Sequence, residues 1–261
     1  MEQISSTHNP SLKLARKLLK SQRERRRAGK ILLDGVHLIS AYSSFLGLAD
    51  AVILIKSSSI GVGEIGAFIE SLPEDVRMLD VPDAMFREVS PVDTPTGIIG
   101  LVDRPTIAAQ GGGKQFVLAL DGIQDPGNLG SILRTAAATK VDEVLLSSTC
   151  TDAWSPKCLR GGMGAQFVLP IAEHVDLPES LATFQGQKIA TTSHLGKSLI
   201  ESDLSVPLVV MIGGEGAGLS AELMACSDQA VRIPLENGVE SLNVGAAVAM
   251  ICYEHLRQSA V

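Results

Sequence analysis

Phe116-Val117-Leu118-Ala119-Leu120-Asp121-Gly122-Ile123-Gln124-Asp125-Pro126-Gly127-Asn128-Leu129-Gly130-Ser131-Ile132-Leu133-Arg134-Thr135 is the stretch that decides the fold. An unbroken apolar run, Phe116–Leu120, reads as a strand buried on both faces. Asp125-Pro126-Gly127 is a turn, and a helix over Gly130–Thr139 follows, with Asn128 placed to begin or cap it. In open α/β sheets, ligands sit outside the carboxyl ends of such strands. Asn128 and Arg134 are therefore candidate site residues. Ordinary turn-and-cap chemistry with a surface arginine is the competing reading.

Working outward, the same pattern repeats. Strands are expected at Glu143–Ser147, Lys188–Thr192, Leu208–Ile212 and Val231–Ile233. Helices are expected at Pro156–Gly161, at Ala221–Cys226 and from Leu242 to about Gln258, giving a parallel sheet covered on both faces. Val209-Val210-Met211-Ile212-Gly213-Gly214-Glu215-Gly216-Ala217-Gly218 runs a strand into a glycine-rich loop, where glycines admit a close ligand. Its spacing matches neither a dinucleotide fingerprint nor a phosphate-binding P-loop. Arg232-Ile233-Pro234-Leu235 leads through a polar loop to Ser241-Leu242-Asn243-Val244 and a helix of small residues, with Ser241 a possible cap.

Upstream, a helix is expected over residues 10–27 behind Asn9-Pro10, a strand at Ile31–Leu33 and a helix from Val36 to Leu46. Ala51–Ile55, Arg77–Leu79 and Ile98–Val102 read as strands, and Glu64–Leu72 as a helix. A run from Asp103 to Lys114 containing Gly111-Gly112-Gly113 is the best linker. The expected organisation is thus residues 1–104, a linker at 105–114 and a second domain at 115–261. Gly61-Val62-Gly63-Glu64-Ile65-Gly66 is a literal dinucleotide fingerprint. Lys56–Ile60 separate it from its strand, where the fingerprint needs a tight turn.

Composition restricts the function. The chain has 261 residues, 45 % hydrophobic and 20 % charged, a globular rather than disordered balance. No apolar run has the length of a membrane span and the N-terminus has no signal-peptide core, so a cytoplasmic location without membrane association is expected. The four cysteines and five histidines show no metal-ligand spacing, so no metal is expected. The net charge of −7 is unevenly spread. Lys13, Arg16, Lys17, Lys20, Arg23, Arg25, Arg26, Arg27 and Lys30 stand against Glu24 alone, which leaves −15 on the rest of the chain. Such a basic segment fits a phosphate backbone, and a solvated basic surface is the alternative.

Taken in order, the asparagine–arginine segment, the strand into Gly213-Gly214-Glu215-Gly216-Ala217-Gly218, and Ile233-Pro234-Leu235 followed by Ser241-Leu242-Asn243-Val244 resemble the three motifs of the SpoU/TrmH class of RNA 2′-O-methyltransferases. Ile4-Ser5-Ser6, Asn9-Pro10, Leu33-Asp34-Gly35-Val36-His37-Leu38 and Thr94-Pro95-Thr96-Gly97 resemble the class's N-terminal substrate-binding domain. The resemblance implies an α/β protein whose C-terminal parallel-sheet domain carries a deep trefoil knot, preceded by a smaller α/β ribosomal-protein-like domain. It implies S-adenosylmethionine as cofactor, contacted at Gly213, Gly214, Gly218, Ile233 and Leu242. It implies Asn128, Arg134, Glu215, Ser241 and Asn243 in the active site, a homodimer, and an RNA substrate, rRNA sooner than tRNA. Lys13, Arg16, Lys17, Lys20, Arg23, Arg25, Arg26 and Arg27 would bind the RNA. A guanidinium stays protonated and is a poor base, so Arg134 is expected to orient the ribose hydroxyl, with Asn128 holding Arg134 or the ribose.

Overall fold

The computed structural model describes residues 1–109, 115–205 and 207–259. The Gln110–Lys114 part of the expected linker lies outside the described residues. Two compact units form, Met1–Pro105 with Trp154–Phe167, and Thr106–Ala153 with Val168–Val261.

The first unit is a five-stranded mixed sheet. Its strands are β1 (Glu2–Gln3), β2 (Lys30–Asp34), β3 (Val52–Lys56), β4 (Arg77–Val81) and β5 (Ile98–Asp103), in the order β1-β4-β3-β5-β2. β1, β3 and β4 are parallel, and β5 runs antiparallel to both β2 and β3. Its helices are α1 (Pro10–Lys20), α2 (Gln22–Ala28), α3 (Val36–Leu46), α4 (Gly63–Ser71) and α5 (Asp83–Arg87).

The single basic helix expected over residues 10–27 is two helices. Ser21 has an extended backbone; its N–H closes α1 on the Lys17 carbonyl, and its hydroxyl accepts from Glu24 N–H to start α2. A serine competes with helix continuation in this way because its side chain supplies the hydrogen bond that the next turn would. Leu12, Ala15 and Leu18 of α1 enter a core with Leu32, Leu54, Leu79, Phe86, Ile99 and Leu101.

The second unit is built on a seven-stranded sheet. In chain order its elements are β6 (Phe116–Asp121), α6 (Pro126–Ala138) and β7 (Glu143–Leu146). The chain then gives α7 (Pro156–Gly162) to the first unit before continuing here as β8 (Ile171–Glu173), α8 (Leu177–Ala182), β9 (Gln187–Thr192), β10 (Lys197–Ser198), β11 (Leu208–Gly213), α9 (Ala221–Ala225), β12 (Gln229–Arg232) and α10 (Val244–Ser259). All seven strands are parallel, in the order β10-β12-β9-β11-β6-β7-β8.

Alternate residues explain why helices cover both faces. Val117, Ala119, Leu145, Ala190, Val209 and Met211 pack against Leu177 and Leu181 of α8 and Leu223 of α9. On the opposite face Phe116 stacks on His255 of α10, with ring centroids 4.1 Å apart. The late strand β11 is inserted between β6 and β9, which precede it, and β12 pairs on the far side of β9.

Candidate functional site at the carboxyl edge of the parallel sheet

Strand register fixes where the motif residues meet. Gly213 pairs with Asp121, and Met211 with Ala190, so β6, β11 and β9 end level. Thr192 pairs with Arg232, which in turn pairs with Ser198. Asp121, Gly213, Thr192 and Arg232 therefore share one rung, and Ile233 follows just beyond it. Strands lie about 4.8 Å apart, so Gly213 and Ile233 stand roughly 10 Å apart across β9.

Above this edge three side chains join. Asp125, not Asn128, caps α6: its carboxylate accepts from Gly127 and Asn128 N–H, and Pro126 opens the helix. Asn128, inside the first turn, keeps its amide for other partners. Its Nδ2 donates to Glu215 Oε1 at 2.8 Å, and its Oδ1 accepts from Asn243 Nδ2 at 3.0 Å. Asn243 Nδ2 also donates to Glu215 Oε1 at 3.1 Å, closing the triangle. Helix α10 begins at Val244, and the cap is Asn243 rather than Ser241, since Asn243 Oδ1 accepts Gly245 N–H at 3.0 Å. An asparagine can do both because its amide carries a separate acceptor and donor.

The glycine loop presents Glu215. Gly214 and Gly218 form an isolated antiparallel bridge, with Gly218 N–H donating to the Gly214 carbonyl at 3.0 Å. A Cβ on Gly214 would overlap the carbonyl oxygen of Gly122 and lie 2.9 Å from its carbon, while one on Gly213 would overlap the backbone of Gly218. Gly216 and Gly218 take φ of +89° and +68°, the left-handed region that glycine tolerates. Gly213 and Gly214 are thus required by close crossings of the chain itself, Gly216 and Gly218 by their backbone conformation.

The remaining expected residues are distributed as follows. Leu242 and Ile233 are half-buried, and Ser241 is exposed. Arg134 is exposed on α6, six residues past Asn128 and so about 240° round the helix. Asn128 therefore holds Glu215 and Asn243, not Arg134.

In the first unit the basic residues divide. Arg25 is 5 % exposed and its guanidinium donates to the Leu18 carbonyl near the end of α1, so it belongs to the fold and not to an RNA-facing surface. Arg16 pairs with Glu88 at 2.7 Å, and Arg27 with Glu24 at 2.7 Å. Lys13, Lys17, Lys20, Arg23 and Arg26 are exposed. Gly61–Gly66 is no dinucleotide loop: a Cβ on Gly66, inside α4, would lie 2.7 Å from the Gly61 carbonyl carbon, so Gly66 lets the helix pack on the turn that leads into it.

The edge leaves backbone groups open to a ligand. From Pro234 to Leu242 one backbone–backbone hydrogen bond forms among the described residues, Val239 N–H to the Glu236 carbonyl. The other amides and carbonyls of this loop face no backbone partner, and the adjoining glycine loop admits close approach. Among the described residues no group of side chains could hold a metal, and no helix is long and apolar enough to cross a membrane.

The model of the SpoU rRNA methylase family matches residues 115–253. A tRNA/rRNA methyltransferase of Synechocystis, itself uncharacterised, is 33 % identical over 98 % of this chain and 93 % of its own. The 23S rRNA (guanosine(2553)-2′-O)-methyltransferase of Bacillus subtilis is 31 % identical over 98 % of this chain and 100 % of its own. An rRNA methyltransferase of Sinorhizobium meliloti, solved with S-adenosylmethionine bound, superposes with a TM-score of 0.78 at 26 % identity, covering 98 % of this chain and 97 % of that one. The family match across the parallel-sheet unit, and relatives that align from end to end, place this chain in the SpoU rRNA methylase family, as an S-adenosylmethionine-dependent RNA methyltransferase with that family's knotted α/β fold.

Proposed function

We propose that the chain methylates a ribose 2′-hydroxyl of ribosomal RNA, and that it works as a homodimer in the cytoplasm. The observation that carries the reading is the Asn128–Glu215–Asn243 triangle beside the Gly213 rung. S-adenosylmethionine supplies a sulfonium methyl group that is already activated, so the protein's task is mainly alignment of the acceptor. Well-oriented reactants can gain roughly 7–11 kcal/mol from positioning alone.

In this reading the backbone of Gly213, Gly214, Gly218, Ile233 and Leu242 holds the cofactor. Asn128 and Asn243 fix the Glu215 carboxylate in one direction through two amide donors, leaving its second oxygen to accept from the ribose hydroxyl. Ser241 offers a further hydroxyl at the same edge. Arg134 grips a phosphate with its fork of donors and orients the nucleotide. Exposed Lys13, Lys17, Lys20, Arg23 and Arg26 contact the backbone of more distant RNA.

The homodimer is supported by an exposed stripe on α10. Ala246, Met250 and Tyr253 recur at helical spacing, with Met250 47 % and Tyr253 66 % exposed. The test is methylation of an unmodified 23S rRNA transcript by the purified protein, followed by mapping of alkali-resistant linkages. Resistant linkages in 23S rRNA are expected. Methyl groups on bases, or on tRNA alone, would overturn the reading.

A further inference from the structure

The Leu33–Leu38 and Thr94–Gly97 segments lie together in the first unit. Asp34 ends β2 opposite Ile99, while β5 opens at Ile98 opposite Ile55. The loops that follow β2 and β3 and precede β5 therefore crowd one edge of the mixed sheet. Asp34 is buried there, its side chain 1 % exposed. One carboxylate oxygen accepts from the Thr96 hydroxyl at 2.7 Å. The other has no hydrogen-bond partner, and Arg160 Nη1 stands 3.5 Å from it.

Arg160 comes from α7, in the Trp154–Phe167 segment that belongs to this unit. Its Nη1 is buried beside Asp34 in an ion pair that is not a hydrogen bond, while the side chain as a whole is 36 % exposed. This differs from the Arg16–Glu88 pair of the same unit. Glu88 is 53 % exposed beside Arg16, so an approaching anion meets both charges. At Asp34 the acid is enclosed and the cation is not. A guanidinium beside a buried carboxylate through one nitrogen keeps its other donors for a second anion.

We propose that Arg160, held in place by Asp34 and Thr96, is an RNA phosphate-binding residue of the first unit. The proposal rests on the reading of the substrate as ribosomal RNA.

The test uses the full chain and an unmodified 23S rRNA transcript. Filter binding without S-adenosylmethionine gives the salt dependence of affinity, independent of turnover. Arg160→Ala should lower the slope of log affinity against log salt by about 0.7–0.9, the loss of one phosphate contact. In turnover it should raise KM for RNA about tenfold and leave kcat within about twofold, since a phosphate grip is uniform binding. Asp34→Asn keeps the cation and loses the anchor, so the slope stays and KM rises. The double variant Asp34→Asn/Arg160→Met removes both partners and guards against a folding defect in Arg160→Ala. It should repeat the slope loss with wild-type binding of S-adenosylmethionine.

An unchanged slope in Arg160→Ala or in the double variant would reduce Arg160 to a structural ion pair and overturn the proposal. A wild-type KM in Asp34→Asn would remove the anchoring role. If the wild-type protein binds the transcript with a salt slope that depends on Arg160 yet methylates nothing in it, the ribosomal-RNA reading fails and the binding residue stands.

Discussion

Asn243 performs two separable tasks, and separating them tests the site. Its Oδ1 caps α10 through Gly245 N–H at 3.0 Å, while its Nδ2 donates to Asn128 at 3.0 Å and Glu215 at 3.1 Å. Asn243→Ala removes both. Loss of such a cap costs about 1 kcal/mol, within a range of about 0.5–2. For a domain of this size that lowers Tm by about 2–4 °C. Asn243→Asp keeps the cap, and its charge favours the helix N-terminus, so Tm should stay within about 1 °C of wild type. But a carboxylate has no N–H to donate and repels Glu215. Both triangle bonds are lost and Glu215 turns away. Misplacement by about 1 Å at a reacting centre can cost roughly 100-fold, and kcat/KM should fall by that order. The assays are thermal denaturation by circular dichroism and steady-state methyl transfer to rRNA. A stable Asn243→Asp enzyme with near-wild-type kcat/KM would refute the positioning role of the triangle. A fall in its Tm as large as that of Asn243→Ala would refute the cap.

Gly214→Ala forces its methyl group into the Gly122 carbonyl, backbone against backbone, so it should weaken S-adenosylmethionine binding at least about tenfold by calorimetry. Gly216→Ala, with open space but φ of +89°, should cost only about 1–2 kcal/mol of local backbone strain and bind near normally. Arg25→Ala should lower stability by about 1–3 kcal/mol, because the Leu18 carbonyl loses a buried donor. It should leave the salt slope of RNA binding unchanged, whereas Arg23→Ala and Arg26→Ala reduce it. Arg134→Lys keeps the charge and loses the fork; near-full turnover would remove the orienting role assigned to the guanidinium. Cys252 is fully buried, and burial pushes its thiol up to about 12, so alkylation at pH 8 should await unfolding.

The strands and larger helices were legible because they are long apolar runs and periodic stretches whose burial fixes their conformation. Phe116–Leu120 and Leu208–Ile212 lie within the strands β6 and β11. Short elements were not legible. Ile171–Glu173 and Lys197–Ser198 become strands through pairing with neighbours, and two or three residues carry no periodicity. The start of α6 was misplaced from Pro126 to Gly130 because Asp125, Pro126 and Gly127 read equally as a turn, whereas Asp125 followed by Pro at the first helical position is also a strong helix start.

The motif residues were legible as a set, but their division of labour was not. Asn128, Glu215 and Asn243 lie far apart in sequence, and only strand register brings them together. Arg25 sits in a row of identical arginines, and its burial depends on the break at Ser21, which the helical pattern conceals. The placement of Arg160 against Asp34 joins residues from opposite halves of the chain and has no local signal at all.

The most direct test maps ribose methylation in rRNA from cells that lack the gene, and from the same cells complemented with wild type or with Asn128→Ala. Loss of a 2′-O-methyl group from 23S rRNA on deletion, restored by wild type and not by the variant, is the predicted result. A methylation map of 23S rRNA that is unchanged by the deletion, or full restoration by Asn128→Ala, would contradict the account.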